Sequence, residues 1–456
     1  MEESKSDLFL RTYNGNYLRG FNSEELEALE QRINDSPEFK QGEKTTLIRL
    51  MHRPAYSFPR LIYGPNHFYI ARKNGMNIYL FGEKHLQTER EIYHNCAASR
   101  GGIYDPNFPK FVDVLKDIET KGKTFFDVFV EFHYIKQAER TTTPTNYIGL
   151  TSSYTFKSLI EKYGHCLTKT SRDNHCNNFR FHYSDIRNFN GILFGVLKDC
   201  QRIEDLLLFF SNKPLFKSVF RDFANYDSNP WVFHSYVLDN PILKKQLEKS
   251  YLKNHIKKYT SFIIGNYITP EILFAFKILD ELLNGNIAHE VDLVLTMYSK
   301  IHTFFLYFES LLMDSYLLAR LFKIYDRTKD IDYRGPDRTY NAIIYSGSTH
   351  TKNIKYFLHA ALGFQIDEIY VPPNEGTSCV QISDVAVRGN IFNYRPVVSP
   401  SPFVDLENEF IYVENAFDYS QYLREEKIEN PVLDKQGNEL LSDLIYSSQP
   451  PKRRRF

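Results

Sequence analysis

Two short phrases constrain this chain more than any other part of it. Asn77-Ile-Tyr-Leu-Phe81 runs into Gly82-Glu83-Lys84-His85, and Ala342-Ile-Ile-Tyr345 runs into Ser346-Gly347-Ser348-Thr349-His350. Each is a β-branched and aromatic run of strand length that ends at a glycine, with a histidine three residues further on. A glycine there lets the backbone turn sharply out of the strand. The histidine then falls just past the carboxyl end of the strand, where open α/β sheets hold their ligands. Two such turns can aim two imidazoles at one point.

The segments between these phrases alternate in the same sense. Lys73-Asn74-Gly75 is a hairpin turn signal between strands at His67–Arg72 and Met76–Phe81. Phe108–Thr120 has helical spacing closed by Gly122. Phe125–Val130 reads as a strand ending at Glu131, and Phe179–Tyr183 as another leading to Asp185 and Arg187. Residues 135–178 are polar and irregular and read as a long insertion or surface loop. From Gly191 to about Tyr325, apolar residues recur at three- and four-residue spacing, which predicts a block of amphipathic helices. A strand at Tyr340–Tyr345, a helix over Lys352–Leu362 capped by Gly363, and a strand at Asp367–Val371 follow. The expected fold is α/β: a mixed, mostly parallel sheet flanked by helices, with a large helical insertion. The expected organisation is a helical lead-in over 1–60, an α/β domain over 61–375 with its insertion at about 191–330, and an irregular extension over 376–456.

Composition narrows the function classes. Lys+Arg and Asp+Glu balance at 56 each, so no global charge draws the chain to nucleic acid or to a membrane surface. No apolar run approaches the ~20 residues a spanning helix needs, and Met-Glu-Glu-Ser-Lys-Ser-Asp is too acidic for a signal peptide. Five scattered cysteines fit a reducing, intracellular setting. The basic tail Lys452–Arg455 has the composition of a nuclear-import signal and equally that of a solvated terminus. The 37 Phe and 32 Tyr against one Trp suggest an A+T-rich genome.

Four strand ends carry polar residues that chemistry uses: Glu83 and His85, Glu131, Asp185 and Arg187, and His350. If these strands are parallel neighbours, their ends share one cleft. His85, Glu131 and His350 are a ligand set for a divalent metal such as Mn, Co or Zn. The ion would acidify a bound water, Glu83 would act as general base, and Arg187, with Asp185 beside it, would stabilise an oxyanion.

In the order Gly82/Glu83/His85, Glu131, Arg187 and Gly347/His350, the chain resembles the superfamily of erythromycin esterases, ChaN-like haem-binding proteins and TraB/Tiki proteins. The resemblance spans about residues 76 to 371, and only the strand ends carry it. It implies an α/β core with a hydrolytic or metal-binding site at those ends, acting on a small molecule or a peptide. Members hydrolyse esters, cleave peptides with a metal, or bind haem, so haem is an alternative cofactor and a non-catalytic binding protein an alternative function. The composition resembles members carried by large DNA viruses. That implies a host-cytoplasmic or virion location, and makes a host-interaction role with a vestigial site a further alternative.

Plainer readings stand beside these. Asp185 and Arg187 can pair with each other. His165-Cys166, His175-Cys176 and His182 match zinc ligands by type, but adjacent side chains diverge, so the spacing lacks the geometry of a structural zinc site. The stripe Leu306–Phe322, which includes Asp314 and Arg320, reads as core packing.

Overall fold

The computed structural model describes residues 23–37, parts of 41–48, 60–99, 108–121, 124–133, 153–167, 176, 178–186, 234, 237–268, 309–325, 336, 338–372 and 377–382. Arg187, Gly122, Cys200 and the Lys452–Arg455 tail lie outside these residues. By its internal contacts the chain divides into two units. The first takes in Met1–Arg187, Pro241–Tyr259 and Leu312–Phe417; the second takes in Asn188–Asn240, Thr260–Leu311 and Asp418–Phe456.

In the first unit, strands β2 (Pro65–Lys73), β3 (Met76–Glu83), β4 (Phe126–His133), β5 (Phe179–Asp185), β6 (Asn341–Gly347) and β7 (Gln365–Tyr370) form one sheet in the order β5-β4-β6-β3-β2-β7. The pairs β5/β4, β4/β6 and β6/β3 are parallel, whereas β2 joins β3 and β7 antiparallel. A separate two-stranded sheet pairs β1 (Leu61–Tyr63) with β8 (Cys379–Gln381). The fold is therefore α/β with a mixed, mostly parallel sheet. The β2–β3 hairpin turns on Asn74 and Gly75, with φ of 49° and 76°, as a two-residue turn matched to strand twist demands. Ordered structure also runs past 375, because β8 belongs to the sheet with β1.

Side chains alternate across the sheet. Phe68 and Ile70, Tyr79 and Phe81, Phe126, Val128 and Val130, Phe179 and Phe181, and Ile343 and Tyr345 join one buried cluster. Helices α2 (Phe111–Lys121) and α3 (Tyr154–Tyr163) close it with Phe111, Val114, Leu115, Phe156, Leu159 and Tyr163. Helix α3 corrects the expectation of a loop across 135–178. The polar Thr151-Ser152-Ser153 before it disguises it, but Ser153 caps it and Phe156, Leu159, Ile160 and Tyr163 form a buried stripe. Another helix, α1 (Glu89–Ser99), follows β3, and a further one, Ser23–Asp35, lies in the helical lead-in.

Opposite the apolar cluster, helix α4 (Ser348–Tyr356) lies on β3 and β6, and a helical stretch over 309–321 brings Asp314 to His350 and Arg320 to His182. Helix α4 starts four residues earlier than the expected Lys352, directly off the end of β6. The expected insertion also holds the helical segments Pro241–Leu247 and Lys253–Ile263. In the second unit most of the described residues are helical, and His234 Nε2 lies 3.2 Å from Ser261 O.

Register is pinned at the starts of the central strands. Asn77 pairs with Asn341 in the β3/β6 ladder, its amide donating to Asn341 Oδ1 at 3.0 Å, and Asn341 Nδ2 reaches Phe125 O at 3.4 Å. A one-residue slip would invert every side chain. With register held there, Glu83 and Gly347 come level at the other end, and Val130 sits opposite Tyr345.

The cysteines correct the reduced-thiol reading. Cys96 on α1 is bonded to Cys379 on β8, with Cα atoms 5.4 Å apart, and Cys166 to Cys176, with Cα atoms 6.1 Å apart. Partners 283 residues apart are invisible to spacing. The second bond also uses the two sulfurs of the zinc-like cluster. Among the described residues, no helix is long and apolar enough to cross a membrane.

Candidate active site at the strand carboxyl ends

The glycines in the two Gly-x-x-His turns act by close approach and not by a turn of their own. Neither Gly82 nor Gly347 has positive φ; the left-handed residue is His85, at φ 47°. For a non-glycine residue that conformation is uncommon and costs on the order of 1–2 kcal/mol. Such strain concentrates at functional sites. A β-carbon on Gly82 would lie 3.1 Å from Ser348 Cα, and one on Gly347 would lie 2.6 Å from His85 Nε2. Small residues therefore let the two turns interlock. The Ser348 hydroxyl sits between them, 2.7 Å from Asn66 Oδ1 and 3.0 Å from Glu83 O.

Three of the expected residues come together. Glu131 Oε2 is 3.7 Å from His85 Nε2, and Glu131 Oε1 is 3.5 Å from His350 Nε2. Glu131 and His350 are buried, while the His85 side chain is 37% exposed and forms the open edge of the group. Phe156 stands beside that edge, its ring centroid 5.4 Å from the imidazole. The Gly347 amide donates to Glu131 Oε2 at 2.7 Å.

Each imidazole is tethered at its other nitrogen. His85 Nδ1 is 3.1 Å from Glu83 Oε1, and His350 Nδ1 is 2.7 Å from Asp314 Oδ1. The tethering carboxylates are themselves held by buried neutral donors. Tyr345 Oη donates to Glu83 Oε2 at 2.6 Å, and Asn353 Nδ2 donates to Asp314 Oδ2 at 2.8 Å. Burial, then the neighbouring Glu83 charge, pushes the Tyr345 hydroxyl well above its ordinary pKa, which keeps it a donor. Both Glu83 oxygens are thus occupied in orienting His85 and binding Tyr345. That geometry suits a positioning carboxylate better than the expected general base.

The tethers have a chemical consequence. An ionised carboxylate only accepts hydrogen bonds, so each Nδ1 carries a proton, and in the neutral form of each ring Nε2 presents its lone pair toward Glu131. Two such lone pairs facing the two oxygens of one carboxylate are four acceptors around one centre. Neighbouring donors on a tetrahedral ion with bonds near ~2.0–2.1 Å stand ~3.3 Å apart, close to the 3.5 and 3.7 Å found here. Carboxylate-tethered histidines are also the usual support of metal ligands. In donor chemistry these residues fit a divalent ion. Among the described residues, however, no group of three or more His, Cys, Asp or Glu is placed so that it could hold a metal ion.

Of the remaining expected residues, Asp185 is buried at the end of β5, one strand out from Glu131, in register with His133. Arg187 lies outside the described residues. The reading of the 306–322 stripe as plain core missed Asp314. Asp314 is 1% exposed among leucines and tyrosines, and nothing local distinguishes it from a buried structural carboxylate. The only signal was an acidic residue inside an apolar helical stripe, which needs a partner.

Arg320, on the same helical stretch, belongs to a second buried network at the other end of the sheet. Its Nη2 lies 2.7 Å from His182 Nδ1, while His182 Nε2 lies 2.9 Å from Asp127 Oδ1. A guanidinium only donates, so His182 Nδ1 accepts and the ring is neutral. Burial pushes its pKa down to about 3, against the pull of Asp127. Burial tends to raise Asp127, but the Arg180 guanidinium and the His182 hydrogen bond outweigh it and hold the carboxyl at about 2.

Comparison with protein-family models, curated proteins and solved structures finds no match for the chain.

Proposed function

We propose that this chain is a metal-assisted hydrolase of ester or amide bonds, acting at the cluster of His85, Glu131 and His350. One observation carries the reading: two carboxylate-tethered imidazoles from different strand ends turn Nε2 toward the two oxygens of one buried carboxylate. The order of these residues along the chain, which resembles the esterase/ChaN/Tiki superfamily, agrees with it. His85 Nε2, His350 Nε2 and Glu131 would hold the ion. When bound, it would polarise the substrate carbonyl and acidify a water.

The chain's own residues do the rest. Glu83 and Asp314 keep protons on the Nδ1 atoms, so both Nε2 lone pairs stay directed inward. The Gly347 amide holds Glu131 Oε2 in place, and as water attacks the carbonyl carbon one of its protons is released toward the leaving group. The acyl C–O or C–N bond then breaks, and the same proton passes to the departing oxygen or nitrogen. Phe156 walls His85 on one side and keeps bulk water from that face. Substrate enters over His85, the open member of the cluster.

The test is metal analysis of the purified chain beside His85→Ala, followed by assays on a panel of small esters and peptides with Zn²⁺ or Mn²⁺ supplied and then chelated. Bound metal in the wild type, lost in the variant, with chelator-sensitive turnover, is the expected result. Metal without turnover anywhere on the panel would replace the hydrolase with a binding protein.

A further inference from the structure

We infer that Asp314, braced by Asn353, is the positioning residue that selects the tautomer of His350 and so which ring nitrogen faces Glu131. The inference rests on the reading above only where it concerns metal. His350 and Asn353 stand three apart on α4, on one face of the helix. Asp314 arrives from a separate helical stretch and meets both, with Oδ1 on His350 Nδ1 at 2.7 Å and Oδ2 on Asn353 Nδ2 at 2.8 Å. The three residues are 1 to 4% exposed, so water does not compete for these contacts. In such surroundings a mismatched donor or acceptor is costly, and polarity passes along the row. Asn353 donates, Asp314 accepts twice, and His350 Nδ1 must donate.

The row makes a prediction that packing alone would not. In Asp314→Asn the new amide has one accepting and one donating end. Asn353 claims the accepting end, so the NH₂ faces His350 Nδ1 and forces that nitrogen to accept. The proton moves to Nε2, where it points at Glu131 and occupies the lone pair the cluster presents. Adding Asn353→Asp reverses this. The carboxylate introduced on α4 only accepts, so it takes the NH₂ of the amide introduced at position 314. The oxygen of that amide then faces His350 and again receives the Nδ1 proton.

The experiment uses the full chain, metal-free, with ¹⁵N-detected imidazole spectra to read the His350 tautomer and calorimetry with Zn²⁺ as the probe. Wild type is expected to show the Nδ1–H form, and Asp314→Asn the Nε2–H form with affinity ~10–100-fold weaker. The double variant should return both the Nδ1–H form and most of the affinity. An Asp314→Asn protein that keeps the wild-type tautomer overturns the inference. If that variant does not fold, the double variant decides alone: an Nε2–H tautomer in it overturns the inference equally. Should the wild type bind no Zn²⁺, the metal reading fails, while the spectra still test the positioning role.

Discussion

A β-carbon on Gly347 would sit 2.6 Å from His85 Nε2 and 3.4 Å from Glu131 Oε2, in the space the cluster encloses. The backbone of Gly347, at φ −55° and ψ 150°, suits any residue, so glycine is needed there for room and not for conformation. Gly347→Ala should therefore fold normally and push the half-exposed His85 ring outward. Misplacement on that scale costs roughly a hundredfold in turnover. Thermal melts should move by only a few degrees, while Zn²⁺ affinity and hydrolysis fall together. Unchanged affinity in this variant would detach His85 from the cluster.

Glu131→Gln separates stability from binding. A glutamine amide can still accept from the Gly347 backbone through its oxygen and offers an N–H to an imidazole Nε2 where two acceptors now face each other. In chelator, the variant should melt no lower than wild type. With Zn²⁺ added, wild type should gain stability by mass action, about 2.7 kcal/mol at a hundredfold excess over Kd, and the variant should gain none. A variant stabilised by Zn²⁺ as much as wild type would move the ion elsewhere.

Two buried histidines set the acid side of stability. Burial pushes His67 down to about 3, with the charges of Lys352, Lys355 and Lys84 adding to the effect, and burial lowers His182 to about 3 as well. Both are neutral when folded, whereas the unfolded chain protonates them near their ordinary ~6.5. Their contribution is complete above pH 6.5 and drains away as pH falls from there toward 3. Each group adds a slope of ~1.4 kcal/mol per pH unit across that window. Urea midpoints from pH 7.5 to 4.5 should fall steadily, and His67→Gln should flatten the fall by about half. A pH-independent midpoint in the wild type would exclude this account.

The Cys96–Cys379 bond closes a span of 283 residues, between two sulfurs buried against Leu61, Tyr63 and Ile92. Cross-links over long spans typically contribute ~2–5 kcal/mol, mainly by restricting the unfolded chain. Cys96→Ser should lower the melting temperature by several degrees under non-reducing conditions and leave it unchanged relative to wild type in strong reductant. Peptide mapping without reduction should recover the two cysteines in one fragment pair.

Much of the framework was legible in the residues themselves. The runs Asn77–Phe81, Phe126–Val130, Phe179–Tyr183 and Ala342–Tyr345 are strands, Asn74-Gly75 is the turn of the β2–β3 hairpin, and His85 and His350 follow the ends of β3 and β6 while Glu131 lies near the end of the neighbouring β4. Such features are local: β-branched and aromatic residues, period-2 alternation and turn chemistry act within a few positions. The tertiary structure alone decided the rest. It placed β6 between β3 and β4, so that residues 216 apart could share a hydrogen bond at Glu131 and Gly347. It moved the strain of the first turn from Gly82 to His85, joined Cys96 to Cys379, and turned Asp314 from an apparent core carboxylate into the partner of His350. Each of these outcomes depends on which distant side chain fills the one remaining place around a group. That is a property of packing in three dimensions, and short-range sequence pattern carries no record of it.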